Sequence, residues 1–238
     1  MNKIKHYFIR IAKNKLANSL ALVYFLVSLI EISAEFYMDK QFIYITKPIV
    51  IPILIMFYCR VSKEPNFIFI LALGFTAISN ILLIFNYKII GSLFLLFSLL
   101  IIIYLVTKLI RFPGTFKIVT GMLPFLLGYM YFINLTQQTI GKDIYFFVVH
   151  SFFIIFLAGF ALGNYFFKPN IVSSLLLITA LFFTGSQLII ALKYYFISLN
   201  IFHAIEMLLF IIGQFILVKF ILLAERKKKR YEIVNRIN

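Results

Sequence analysis

The side chains that could do chemistry in this chain are a small set of carboxylates, histidines, amides and one lysine inside long apolar runs. A carboxyl or imidazole group can donate and accept a proton, and an amide can hold a polar ligand by hydrogen bonds. The catalytic candidates are Glu206, His150 and Glu35, and the candidates for substrate binding are Lys47, Asn80, Gln187 and His203.

The elements that must position these side chains are eight apolar runs, each close to the 20 or so residues that a helix needs to cross a bilayer. The runs do not show the alternating polarity of barrel strands. The sequence therefore predicts an all-α polytopic membrane protein with eight transmembrane helices, forming a single transmembrane domain over residues 1–238. The predicted spans are 16–35, 42–59, 66–86, 89–107, 117–135, 144–163, 171–192 and 197–223.

Composition excludes a water-soluble globular domain, because 63% of the residues are hydrophobic and only 13% are charged. The net charge of +15 indicates membrane topology rather than a nucleic-acid partner. Cys59 is the only cysteine, which excludes an intrachain disulfide and a site with several thiolates. The three histidines are scattered, and we expect no metal and no cofactor.

Most of the Lys and Arg residues lie in connections and termini on one side of the membrane. Of the 23 Lys and Arg residues, only Lys40, Lys88, Lys142 and Lys193 fall in connections on the other side, and Lys47 lies inside a span. The positive-inside rule then places both termini in the cytoplasm, with a basic N-terminus at 1–15 and a basic tail at 224–238. We expect an integral protein of a bacterial inner or plasma membrane.

With this topology, the intramembrane polar residues share one depth in the non-cytoplasmic part of the bilayer, and only Gln214 lies deeper. Ionisable groups in hydrocarbon cost several kcal/mol unless they are paired or hydrated. We therefore expect a common water-accessible cavity, with an ion pair between Lys47 and Glu206. The alternative for each residue is that it snorkels to the interface or forms its own interhelical hydrogen bond.

Two regularities concern helix packing. Ser79-Asn80-Ile81-Leu82-Leu83 aligns on Ser186-Gln187-Leu188-Ile189-Ile190 with an offset of 107 residues. This match predicts a parallel repeat of two four-helix halves, in which helices three and seven are counterparts. Small residues at Gly121 and Gly128, and at Gly159 and Gly163, predict a close approach between neighbouring helices.

The segment Thr46-Lys47-Pro48, followed by Pro52, resembles the signature at the start of helix two in the YhhN family of lysoplasmalogenase-like membrane proteins. The resemblance implies eight helices and hydrolysis of the vinyl-ether bond of a lysoplasmalogen. It would place one aspartate on helix three and one on helix seven, and the matching positions here hold Asn80 and Gln187. Leu99 and Leu100 occupy the stretch of helix four where the family often has a histidine.

The sequence leaves three functions open. The first is a lipid hydrolase in which Glu206, Glu35 or His150 transfers the proton. The second is a catalytically inactive relative that binds a lysolipid or a fatty aldehyde in the same cavity through Asn80 and Gln187. The third is a pathway for a small solute or an ion. The expected partner is a membrane lipid or lysolipid, and the oligomeric state stays open.

Overall fold

The computed structural model describes residues 15–136, 144–195 and 199–237. Those residues form eight helices and no strand, which confirms the predicted all-α class. The basic N-terminus lies outside the described residues up to residue 14, as do Lys142 and the side chains of the tail from residue 229. The helices are α1 (Lys15–Tyr37), α2 (Lys40–Val61), α3 (Phe67–Ile84), α4 (Lys88–Leu109), α5 (Thr115–Thr136), α6 (Ile144–Phe167), α7 (Ile171–Tyr195) and α8 (Asn200–Ile237).

Seven of these helices are long and apolar enough to cross a membrane. The eighth helix, α5, has 22 residues and is therefore also long enough to cross it. Large apolar side chains cover the outside of the bundle, for example Phe116, Leu127 and Phe166. Such a surface is stable only in contact with lipid. The protein is therefore an integral membrane protein.

Polar residues set several helix boundaries. The Asp39 carboxylate accepts hydrogen bonds from the backbone N–H groups of Gln41 and Phe42 at the start of α2. Asn66 and Asn170 cap α3 and α7 in the same way. These caps satisfy N–H groups that have no partner within the helix. Helix α2 starts at Lys40, so Pro48 lies two turns inside it and not at its opening.

Each helix packs against its neighbour in sequence within the hairpins α1–α2, α3–α4, α5–α6 and α7–α8. Further contacts join α2 to α3, α4 to α6, α6 to α7 and α8 to α1. Seven helices thus form a closed cycle of neighbours, and α5 makes its main contact with α6. Helix α8 also touches α2 and α4 across the cycle.

Glycines let α5 and α6 approach closely, as the small-residue spacing predicted. A Cβ on Gly121 would collide with the backbone oxygen of Gly159, and a Cβ on Gly163 would meet the backbone of Lys117. The part of the prediction that concerned Gly128 is wrong, since a Cβ there would meet nothing within 4 Å.

Candidate functional site

A cavity of about 130 Å³ lies between α2, α3, α4, α6, α7 and α8. Half of its lining side chains are polar and half are apolar, which suits an amphipathic ligand. The polar ones are Lys47, Thr76, Asn80, Ser98, His150, Ser186, Gln187, Glu206 and Gln214.

Five of the seven predicted site residues line this cavity, namely Lys47, Asn80, His150, Gln187 and Glu206. Most of them lie within about two turns of the helix ends that are joined by the α1–α2, α3–α4 and α7–α8 connections. We call this end of the bundle the cavity end. Gln214 lies about four turns from the start of α8, deeper than the others.

Glu35 and His203 do not line the cavity, but they belong to a chain of charged groups next to it. Lys47 Nζ lies 2.5 Å from Glu35 Oε1, and His203 Nδ1 lies 3.6 Å from the other oxygen of that carboxylate. Lys193 pairs with Glu206, and its Nζ lies 3.5 Å from His203 Nδ1. The five groups connect α1, α2, α7 and α8.

The expected Lys47–Glu206 ion pair is wrong. Lys47 pairs with Glu35 and Glu206 pairs with Lys193, although Lys47 and Glu206 line the same cavity. The prediction overlooked Lys193, which was assigned to a connection. In the structure Lys193 belongs to the last turn of α7 and points into the bundle, with only 12% of its side chain exposed. A buried cation there compensates the nearest carboxylate.

A third carboxyl group, that of Glu31, is fully buried beside this chain and accepts a hydrogen bond from the Thr46 hydroxyl. Its second oxygen has no hydrogen-bond partner among the described residues. Three carboxyl groups therefore face two ammonium groups and the imidazole of His203.

Three amide side chains, those of Asn80, Gln187 and Gln214, line the cavity beside this charged cluster. His150 Nδ1 lies 3.1 Å from Gln187 Oε1, and Gln187 Nε2 lies 3.5 Å from the Ser151 hydroxyl. Asn80 and Gln214 are 5% and 3% exposed, and Asn80 Nδ2 and Gln214 Oε1 have no hydrogen-bond partner among the described residues. An unsatisfied buried donor or acceptor costs about 1–3 kcal/mol. One free donor and one free acceptor in a cavity wall are available to a polar ligand.

The arrangement limits the available chemistry. Glu206, His150 and Lys47 are the lining residues that carry an acid or base group, because the amides of Asn80 and Gln187 do not titrate. Glu35 lies outside the cavity, where it pairs with Lys47 and lies 3.6 Å from the His203 imidazole. No group of three or more His, Cys, Asp or Glu side chains in the described ranges could hold a metal ion.

Sequence reasoning missed Thr46, Thr76, Ser98 and Lys193 as members of the site, and it counted Glu31 only among the polar residues that share this depth. A signal was available, because helices joined by a tight turn bring together residues equally distant from it. Glu31 and Thr46 lie at equal distance from the turn at Met38–Asp39. Thr76 and Ser98, whose hydroxyl groups are 2.7 Å apart, flank the α3–α4 turn in the same way.

Comparison with known proteins gives one match. The sequence model of the YhhN family matches residues 42–221, which contain all the cavity-lining residues. No curated protein and no solved structure matches the chain. Since the match covers about three quarters of the chain, the protein belongs to the YhhN family.

Proposed function

We propose that this protein binds a lysolipid of the vinyl-ether class, with the polar glycerol region in the cavity and the hydrocarbon chain along the apolar surface of the bundle. The observation that carries the proposal is the pair of unsatisfied atoms in the cavity wall, Asn80 Nδ2 and Gln214 Oε1. An oxygen of the glycerol region can accept from the first, and the glycerol hydroxyl can donate to the second. Family membership supports this substrate class.

The size of the cavity supports a partly inserted ligand. Pockets for drug-sized ligands have about 300–1,000 Å³, whereas this one has about 130 Å³. It accommodates the region around the ether bond and not a whole lysolipid. The exposed apolar faces of the helices offer the remaining hydrocarbon chain a lipid-like environment.

Ligand-dependent thermal stabilisation of the purified protein tests the binding. A lysoplasmalogen at about one hundred times its dissociation constant adds about 2.7 kcal/mol to the free energy of unfolding. Asn80→Leu removes the donor and is expected to weaken this stabilisation strongly. Asn134→Leu, at an exposed amide on α5, is the matched control and leaves it unchanged. Stabilisation that is absent for every lysolipid class, or equal in both variants, contradicts the proposal.

Hydrolysis is the second candidate, favoured by the carboxyl group of Glu206 and the imidazole of His150 on the wall of the same cavity. Protonation of the vinyl-ether carbon distal to oxygen leaves an oxocarbenium ion. Water adds to it with loss of a proton, and the resulting hemiacetal breaks down to a fatty aldehyde and the free glycerol hydroxyl. One of the two groups would donate the first proton and the other would accept the proton from water.

Aldehyde release from a purified lysoplasmalogen separates the two candidates. If the protein is a hydrolase, Glu206→Gln and His150→Gln lower the rate by about 100-fold or more, as loss of a general acid or base does. Glu64→Gln, an exposed glutamate near the other end of the bundle, leaves the rate unchanged. An intact substrate after long incubation excludes hydrolysis and leaves the binding function.

We also propose that the protein lies in a bacterial inner or plasma membrane with both termini in the cytoplasm. The cations Lys63, Arg111, Lys168 and Lys228 lie at the end of the bundle opposite the cavity end, which we call the basic end. The positive-inside rule assigns such an end to the cytoplasm. The cavity then lies nearer the opposite leaflet.

A further inference from the structure

A second and larger concavity, which we call the basin, lies at the basic end. It has a volume of about 1060 Å³. It is formed by the α4–α5 connection, the α6–α7 connection and the part of α8 that contains Ala224, Lys227 and Lys228. Its charged lining residues are Lys108, Arg111, Lys117, Lys168, Lys227 and Lys228.

The charge of the basin has one sign. Six of its lining side chains are Lys or Arg, and none of its lining residues, all within the described part of the chain, is Asp or Glu. Two acids, Glu64 and Glu225, line an adjacent cleft that shares Lys108 and Lys228 with the basin. Glu225 accepts a hydrogen bond of 3.0 Å from the Tyr58 hydroxyl there. Cations that line a concave, low-dielectric surface reinforce one another and concentrate anions there.

Topology alone does not explain this geometry. The positive-inside rule depends on which side of the membrane a cation lies, not on whether cations from separate segments converge. Here three segments contribute to one concavity, and some of their side chains are held in place. Lys117 Nζ lies 3.9 Å from the centre of the Phe167 ring, and Lys228 Nζ lies 3.5 Å from the carbonyl oxygen of Lys108.

We propose that the basin binds phosphate groups that together carry two or more negative charges, as in the headgroup of an anionic diphosphate lipid. Phosphate oxygens accept charge-assisted hydrogen bonds from Lys and Arg, and Arg111 can donate two parallel ones. Basic pockets between transmembrane helices on the cytoplasmic side are suited to such headgroups. At about 1060 Å³ the basin has room for more than one phosphate group. This site is independent of the lysolipid cavity at the other end.

The test uses the full chain in nanodiscs of phosphatidylcholine, an uncharged-headgroup lipid. Binding of cardiolipin and of inorganic pyrophosphate is measured separately, by native mass spectrometry and by thermal shift, at two salt concentrations. The test variant is Arg111→Gln with Lys168→Gln, both at exposed positions. The control is Lys63→Gln with Lys40→Gln, which removes the same charge from exposed positions outside the basin.

The expected loss is about fivefold in affinity for each basin cation removed, and thus about 25-fold for the test variant, with less than a twofold change for the control. This result with cardiolipin supports a lipid headgroup as the source of the phosphates, and the same result with pyrophosphate supports a soluble one. Each single substitution, expected to cost about fivefold, gives the same answer if the double variant unfolds. No binding of either probe, or an equal loss in the control, overturns the proposal.

Discussion

At the scale of single residues, the charged side chains inside the bundle are stabilised by ion pairs. The Lys47 and Glu35 side chains are only 20% and 9% exposed, and His203 lies against the same carboxylate. Removing one member of a buried ion pair leaves the other charge without compensation. The pairs therefore fix which face of α1, α7 and α8 turns toward the site.

Lys47→Met is expected to lower the free energy of unfolding by about 3 kcal/mol, because Glu35 then stays buried without its closest cation. Adding Glu35→Gln restores part of the loss, since the uncompensated charge is gone. Thermal or denaturant unfolding in mild detergent measures both effects. Lys40→Met, at an exposed lysine on the same helix, is the control and changes little. A loss as large for Lys40→Met would show that the ion pair has no special role.

The two buried glutamines should respond oppositely to the same substitution in ligand-free protein. Gln214→Met is expected to be neutral or stabilising by up to about 1 kcal/mol, because Gln214 Oε1 has no hydrogen-bond partner among the described residues. Gln187→Met breaks the contacts to His150 and Ser151 and is expected to destabilise by about 1–3 kcal/mol. Unfolding in the absence of lipid checks both. Equal destabilisation would mean that Gln214 is satisfied in solution, for instance by water.

At the scale of elements, the predicted repeat accounts for how the cavity is lined. Thr76, Asn80 and Leu83 on α3 become positions 183, 187 and 190 on α7 when the offset of 107 is added, and all six positions line the cavity. The contact of α4 with α6 also has its counterpart in the contact of α8 with α2. Three pairs of equivalent positions thus line one site, whereas the contact of α8 with α1 has no counterpart of comparable extent between the described residues of α4 and α5.

Of the two glycines on α5, Gly121 lies at the interface with α6. Gly128, seven residues further along the helix, does not lie there. Gly121→Ala places a Cβ against the Gly159 backbone and is expected to destabilise by about 1–3 kcal/mol. Gly128→Ala on the same helix meets nothing within 4 Å and is expected to be neutral or to stabilise by about 0.5–1 kcal/mol. Unfolding in detergent distinguishes the two. If the two variants are equally stable, α5 does not pack on α6 through Gly121.

At the scale of the whole molecule, the two ends of the bundle have different chemistry. The cavity end carries acids and lysines joined in ion pairs, whereas the basic end carries cations that converge on the basin. The orientation of the protein in the membrane determines which end faces the cytoplasm. The cavity and the basin then lie toward opposite faces of the membrane.

Accessibility of single cysteines tests the orientation. In a Cys59→Ser background, Lys40→Cys lies at the cavity end and Lys63→Cys at the basic end, and both positions are exposed. An impermeant maleimide should label the first variant in intact cells and the second only after the membrane is permeabilised, because the positive-inside rule places the basic end in the cytoplasm. The reverse pattern contradicts the proposed topology.

The sequence by itself determined the class of the fold, because the length of apolar runs and the cost of unpaired backbone groups in lipid permit little else. It also determined the depth at which polar residues gather, since depth follows from helix direction and a fixed rise per residue. Five of the seven predicted site residues line the cavity for this reason.

Only the tertiary structure decided the partners. Rotation of each helix about its axis and the order of its neighbours are not encoded in hydropathy, because the runs are apolar on all sides. Lys47 therefore pairs with Glu35 rather than Glu206, and Lys193 joins the site from the last turn of α7. The same packing leaves Asn80 and Gln214 each with an unsatisfied atom and brings cations from three segments around one basin. These are contacts between different helices, and they exist only once the helices have packed.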